Sequence, residues 1–140
     1  MLPTALVAFV HHLLAFTLVG AFVAERVLFT ATPSLAQARR LRAIDAVYGA
    51  SAGLLLLVGL SRAVWLEKGA AFYFANPFFL AKLALFVLVG VASIYPTLML
   101  RAPRMTPAQA LRVRRILDLE LAGVAAILLC AALMAKGIGF

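Results

Sequence analysis

Apolar residues fall into four long runs along this chain, separated by short stretches rich in Arg, Pro or Gly. Residues 5–29 form the first run, broken by His11 and His12 and, near its far end, by Glu25 and Arg26. Residues 43–66 form the second, which begins beside Asp45 and ends beside Arg62. The third, residues 78–100, follows Pro77, carries Lys82 one turn inside its start and meets Pro96 near its exit. The fourth, residues 116–135, has Asp118 and Glu120 in its first turns. A helix needs about 20 mostly apolar residues to cross a bilayer, so the pattern predicts four crossings.

The connections are as informative as the runs. TPSLAQARRLR breaks the first pattern, and Pro33 with Ser34 is expected to open a short interfacial helix before the second crossing. EKGAAFYFANP is aromatic and nearly neutral, as a segment lying at the membrane interface should be. RAPRMTPAQALRVRR carries five arginines, and the chain closes on the polar-capped tail KGIGF.

Composition turns this pattern into a fold class. With 66% apolar and 13% charged residues in 140, the chain holds more greasy side chain than a soluble domain can bury. The expectation is an all-α integral membrane four-helix bundle forming a single transmembrane domain. A multidomain enzyme is excluded by size. The net charge of +8 sits in short loops between apolar runs, which argues for topology and contacts with membrane lipids and against nucleic acid. Cys130 lies within an apolar run and has no second cysteine to pair with. The first run lacks a basic leader and carries two histidines, so it is expected to stay as a span rather than act as a signal peptide.

Orientation follows from the arginines. Arg39, Arg40, Arg42, Arg101, Arg104, Arg112, Arg114 and Arg115 lie in the first and third connections, against Lys68 and Lys136 in the middle connection and tail. The positive-inside rule then puts both arginine loops in the cytoplasm and both termini on the periplasmic side. Gly49, Gly53 and Gly59, with Ser51, offer a small-residue face for helix contact, and Gly49 with Gly53 is the expected surface for a homo-oligomer or a membrane complex. LRAIDAVYG (41–49) roughly matches RRILDLELAG (114–123), which suggests two parallel hairpins with Asp45 and Asp118 in equivalent places.

Ionisable groups inside spans cost about 2.5–3.5 kcal/mol each even on the lenient insertion scale, so they mark either structure or function. Threading sorts them into two layers. Glu25, Arg26, Asp45, Asp118 and Glu120, with Tyr48 and Tyr95 somewhat deeper, form a cytoplasmic-side layer. Carboxylates in first helical turns are stabilised by unpaired amides, and Glu25 can reach loop arginines, so this layer reads as a structural network. A proton or ion relay through Glu25 and Asp45 is the alternative.

His11, His12, Arg62 and Lys82 form the outer layer. Arg62 and Lys82 could act as interface anchors, whereas short imidazoles cannot reach far toward water. The two histidines stand about 100° apart on a helix, so one is expected to face the bundle interior and the other to face outward. An inward imidazole can bind haem iron, exchange protons or bond a quinone-like carbonyl. Haem b or a porphyrin suits the layer better than zinc, which wants about four converging ligands. Arg62 and Lys82 would meet its anionic tails, Trp65, Phe72, Tyr73, Phe74, Phe78 and Phe79 could wall it, and a second axial ligand would come from the loosely placed Met134 or from a histidine of another protomer. A purely structural histidine pair is the rival reading.

HHLLAFTLVGAFVAE, AIDAVYGASAGLLLLVGLSR and above all WLEKGAAFYFANPFFLAKLALFVLVGVASIYPT make the chain resemble an uncharacterised family of predicted bacterial inner-membrane proteins, domain-of-unknown-function family 2214. The resemblance implies four spans in an inner (cytoplasmic) membrane and supplies no activity. A more distant likeness is to the small membrane protoporphyrinogen oxidase family, where an early-span histidine and a lysine opening a later span are functional. His11 or His12 and Lys82 stand in comparable contexts, and that likeness implies a haem or porphyrin pocket. Three functions follow as expectations: an accessory or assembly subunit of a membrane complex, a haem-binding or porphyrin-related redox protein, and a proton-coupled carrier acting as a dimer.

Overall fold

The computed structural model describes residues 1–66 and 68–139. Glu67 of the middle connection and Phe140 of the tail, both within segments read above, lie outside the described residues. Helix α1 spans Leu2–Leu28, and α2 spans Leu35–Ser61 and continues into a π-helical turn, Arg62–Leu66. The short α3, Ala70–Phe74, leads to α4, Pro77–Arg101, and α5, Pro107–Ala135. Four of these elements, α2 being taken with its π turn, are long and apolar enough to cross a membrane.

Local chemistry explains where the helices start. Ser34 and Thr106 each cap a helix and form a reciprocal capping box with Gln37 and Gln109. Asn76 caps α4 by accepting from the amides of Phe78 (2.8 Å) and Phe79 (3.3 Å), and Pro77 and Pro107 take first-turn positions where no amide hydrogen is needed. The strong caps correct two expectations. TPSLAQARRLR does not form a separate interfacial helix, since α2 runs unbroken from Leu35 through the second crossing. Likewise α5 begins at Pro107, so Asp45, Asp118 and Glu120 stand about three turns or more past their caps and receive no first-turn amides.

Helix α1 lies along α2, and α4 along α5, as two hairpins. Between hairpins the contact is sparser, with α2 against α4 and α1 against α5, which leaves α2 and α5 on one diagonal of the bundle. Within the second hairpin the fit is close: a Cβ added at Gly123 would stand 2.6 Å from Val89 Cγ2. The dense core lies toward the arginine-rich end, where Leu18, Phe22, Phe29, Leu41, Tyr48, Leu100, Val113 and Leu117 pack together. Toward the histidine end the helices enclose cavities instead. Large apolar side chains such as Leu6, Phe9, Phe16, Leu88, Val91 and Leu129 face outward, as they should in a lipid solvent.

Two packing expectations change. Gly49 and Gly53 make no close helix contact within the chain, for no described atom lies within 4 Å of a Cβ built at either. Gly59 is the glycine of that face that meets a neighbour, with a built Cβ 3.5 Å from His11 Nε2. The matched aspartates also part company. Asp45 is buried and accepts from Thr97 Oγ1 (2.8 Å), whereas Asp118 is exposed and pairs with Arg26 Nε (2.7 Å). Helical phase decides this, because the buried face of α5 runs through Val113, Leu117 and Glu120 and turns Asp118 away.

Candidate functional site

At the histidine end, three helices bring together residues distant in sequence. His11 of α1, Arg62 at the start of the π turn and Lys82 of α4 line one cavity of about 250 Å³. Met134 of α5 lies in the same wall, and most of the remaining lining is aliphatic, with Tyr73 and Phe79 closing one side. The π turn widens the helix where Arg62 and Ala63 join this lining, a device often found at functional sites. Lys82 also stands over Phe79, its Nζ 5.3 Å from the ring centre.

His12 does not join the cavity. It faces outward, and its Nδ1 lies 2.7 Å from the carbonyl of Ala8 one turn earlier. The helical angle between neighbours separates the two rings, whose centres stand 5.8 Å apart and nearly perpendicular. Of the aromatic segment, Tyr73 and Phe79 line the cavity, whereas Trp65 is 77% exposed, Phe74 is 43% exposed and the half-buried Phe72 and Phe78 lie outside the lining, so only part of the expected aromatic wall forms. A second cavity of about 310 Å³ adjoins the first, sharing Ala15, Leu55, Phe86 and Leu128, and reaches down to Tyr48. The second lies at the lower end of the roughly 300–1,000 Å³ typical of ligand pockets, and the first lies somewhat below it. Gly49, Gly53 and Gly90 rim the second cavity and are themselves exposed, which leaves a gap between α2 and α4.

Beyond Tyr48 lies a buried carboxyl layer. Tyr48 donates its hydroxyl to Glu120 Oε1 over 3.3 Å and stacks at 5.1 Å on Phe22. Glu25, 1% exposed, faces the Asp45 carboxyl and meets no hydroxyl, amide or cation among the described residues. The expectation that Glu25 reaches loop arginines is therefore corrected. It is Arg26, next along the helix and turned outward, that finds an acidic partner, Asp118. Among the described residues no group of three or more His, Cys, Asp or Glu side chains is arranged to hold a metal ion. Carboxyl groups placed in this way can take up and release protons.

Sequence reasoning missed Asn76. It is wholly buried, caps α4 and donates Nδ2 to the carbonyl of Ile138 (3.2 Å), tying the tail over the cavity end of the bundle. Gly137 and Gly139 adopt positive φ to make that return, and a Cβ at Gly139 would strike the Asn76 amide at 2.9 Å. The sequence cue was Asn before Pro77 at a helix start, but its second partner lies 62 residues away.

Four apolar crossings around cavities, with charged groups turned inward, define an integral membrane four-helix bundle. The chain belongs to the predicted membrane protein family DUF2214, whose profile matches residues 3–139. No curated protein and no solved structure matches it. The likeness to the protoporphyrinogen oxidases thus gains no support from comparison.

Proposed function

We propose that this bundle binds a flat or elongated apolar molecule carrying an anionic group, and that haem or a porphyrin is the occupant best suited to its donors. The observation that carries the reading is the convergence of His11, Arg62 and Lys82, from three elements, on one otherwise apolar cavity. An imidazole and, from another helix, the Met134 thioether are ligand types that haem iron takes. Arg62 and Lys82 suit carboxylate tails at the membrane interface. A bound haem would supply one-electron chemistry. The protein's own part is to hold the group, set its orientation through His11 and exclude water with aliphatic walls.

Absorption spectra of the detergent-purified protein, oxidised and then reduced, test the reading. A Soret band with reduced-state α and β bands is expected after expression with haem precursor. His11→Ala should abolish or shift it, His12→Ala should leave it, and Lys82→Ala should weaken retention with the fold intact. Failure to bind haem or protoporphyrin under those conditions overturns the reading.

A role as an accessory or assembly subunit is favoured by a different observation, the uncovered glycine rim Gly49, Gly53 and Gly90, which a second helix could approach closely. Cysteine crosslinking at Gly53 in native membranes tests it, with a crosslinked partner or homodimer expected. Proton-coupled transport by a dimer would draw on the Glu25, Asp45 and Glu120 layer, and proton uptake by proteoliposomes measures it directly.

A further inference from the structure

We propose that the cleft between the first and third connections, at the opposite end of the molecule from His11, is a binding site for the phosphodiester headgroup of an anionic lipid. The cleft has a volume of about 760 Å³ and receives Arg42 from α2, Arg101 from the end of α4 and Arg104 from the turn before α5. Three arginines thus line one concavity. None of the three contacts a carboxylate among the described residues, whose acidic groups stand in the bundle interior or, as Asp118, against Arg26.

The composition of the cleft selects the ligand. Guanidinium groups present planar forks of donors that match phosphate oxygens, and the start of α2 adds a dipole of the same sign at the rim. Buried Leu41 and Leu100 form an apolar floor. Leu35, in the lining, is 68% exposed, and Leu98, in the last turn of α4 beside the cleft residues Met99 to Arg101, is 57% exposed, so apolar surface continues from the cleft onto the flank of the bundle. A free phosphate would use the arginines alone, whereas a phospholipid would use both the arginines and the flank. Basic pockets between spans, at the depth of the headgroups, are where anionic lipids are recognised.

Native mass spectrometry of the detergent-purified full chain, titrated with phosphatidylglycerol or phosphatidylcholine of the same acyl chains, tests the proposal. Phosphatidylglycerol should be retained preferentially. Arg101→Gln and Arg104→Gln, both at exposed positions where folding is not at stake, should each weaken it about five-fold, the worth of one basic residue at an anionic surface. Arg112→Gln and Arg115→Gln, exposed but outside the cleft, should change retention clearly less. Equal losses at all four positions would mean diffuse charge attraction and overturn the proposal. Inorganic pyrophosphate supplies the other arm: if it binds the cleft as tightly as the lipid and the lipid shows no preference over phosphatidylcholine, a soluble phosphate site replaces the lipid site.

Discussion

Tyr48 and Glu120 join α2 to α5 across the bundle diagonal by a hydrogen bond of 3.3 Å, linking two hairpins that otherwise meet sparsely. Glu120 Oε2 finds no partner among the described residues, so Tyr48 is the donor this buried carboxyl has. Tyr48→Phe should therefore lower stability by about 1–3 kcal/mol, the cost of a buried acceptor left without its donor. The double change with Glu120→Leu should recover part of the loss, because replacing both partners by apolar groups removes the unmet demand. Thermal unfolding in detergent reads both. Independent, additive losses would show that the pair is not coupled.

Glycine positions separate tight contact from open space. Gly123→Ala should destabilise by about 1–3 kcal/mol through overpacking, since the added methyl would meet Val89 at 2.6 Å, and Val89→Ala should relieve it. Gly53→Leu should leave the isolated chain's unfolding temperature nearly unchanged, as nothing described lies near that Cβ. A large loss at Gly53 in a sample shown to be monomeric would contradict this packing.

Asn76 holds a cap and a tail at once. Asn76→Ala should cost about 0.5–2 kcal/mol for the lost cap alone. Loss of the Ile138 tie should also speed proteolysis of the residues after Lys136, whereas Asn76→Asp should keep the cap and lose the tie. Limited proteolysis followed by mass measurement distinguishes the two variants. Identical behaviour would mean the tail is held by other contacts.

Topology can be read with single cysteines in a Cys130→Ala background and an impermeant thiol reagent. Lys68→Cys should label in intact cells, and Arg104→Cys should label after permeabilisation, following the arginine bias between connections. Labelling of Arg104→Cys in intact cells would reverse the assignment.

The four crossings were legible in the sequence because lipid imposes a length and a composition on any helix that spans it, and each run met both. So was the separation of His11 from His12, which the angle between successive residues on a helix requires. Helix starts were less legible: polar TPSLAQARRLR and RAPRMTPAQALRVRR look like loops by hydropathy, yet the Ser34 and Thr106 capping boxes carry helix through most of each. That shift moved Asp45, Asp118 and Glu120 away from helix ends and changed what holds them. Which residues meet was decided by helical phase and by hairpin packing. Hydropathy placed Glu25 and Arg26 in one layer without distinction, but one turns toward Asp45 and the other toward Asp118. Small-residue spacing marked Gly49 and Gly53 as a face for another helix; the sparse junction between hairpins leaves them at an open rim with no neighbour inside the chain, and sets His11, Arg62, Lys82 and Met134 around a common cavity. Depth along a helix can be counted from sequence. Azimuth around the bundle depends on how four helices fill space together, and only the tertiary structure decided it.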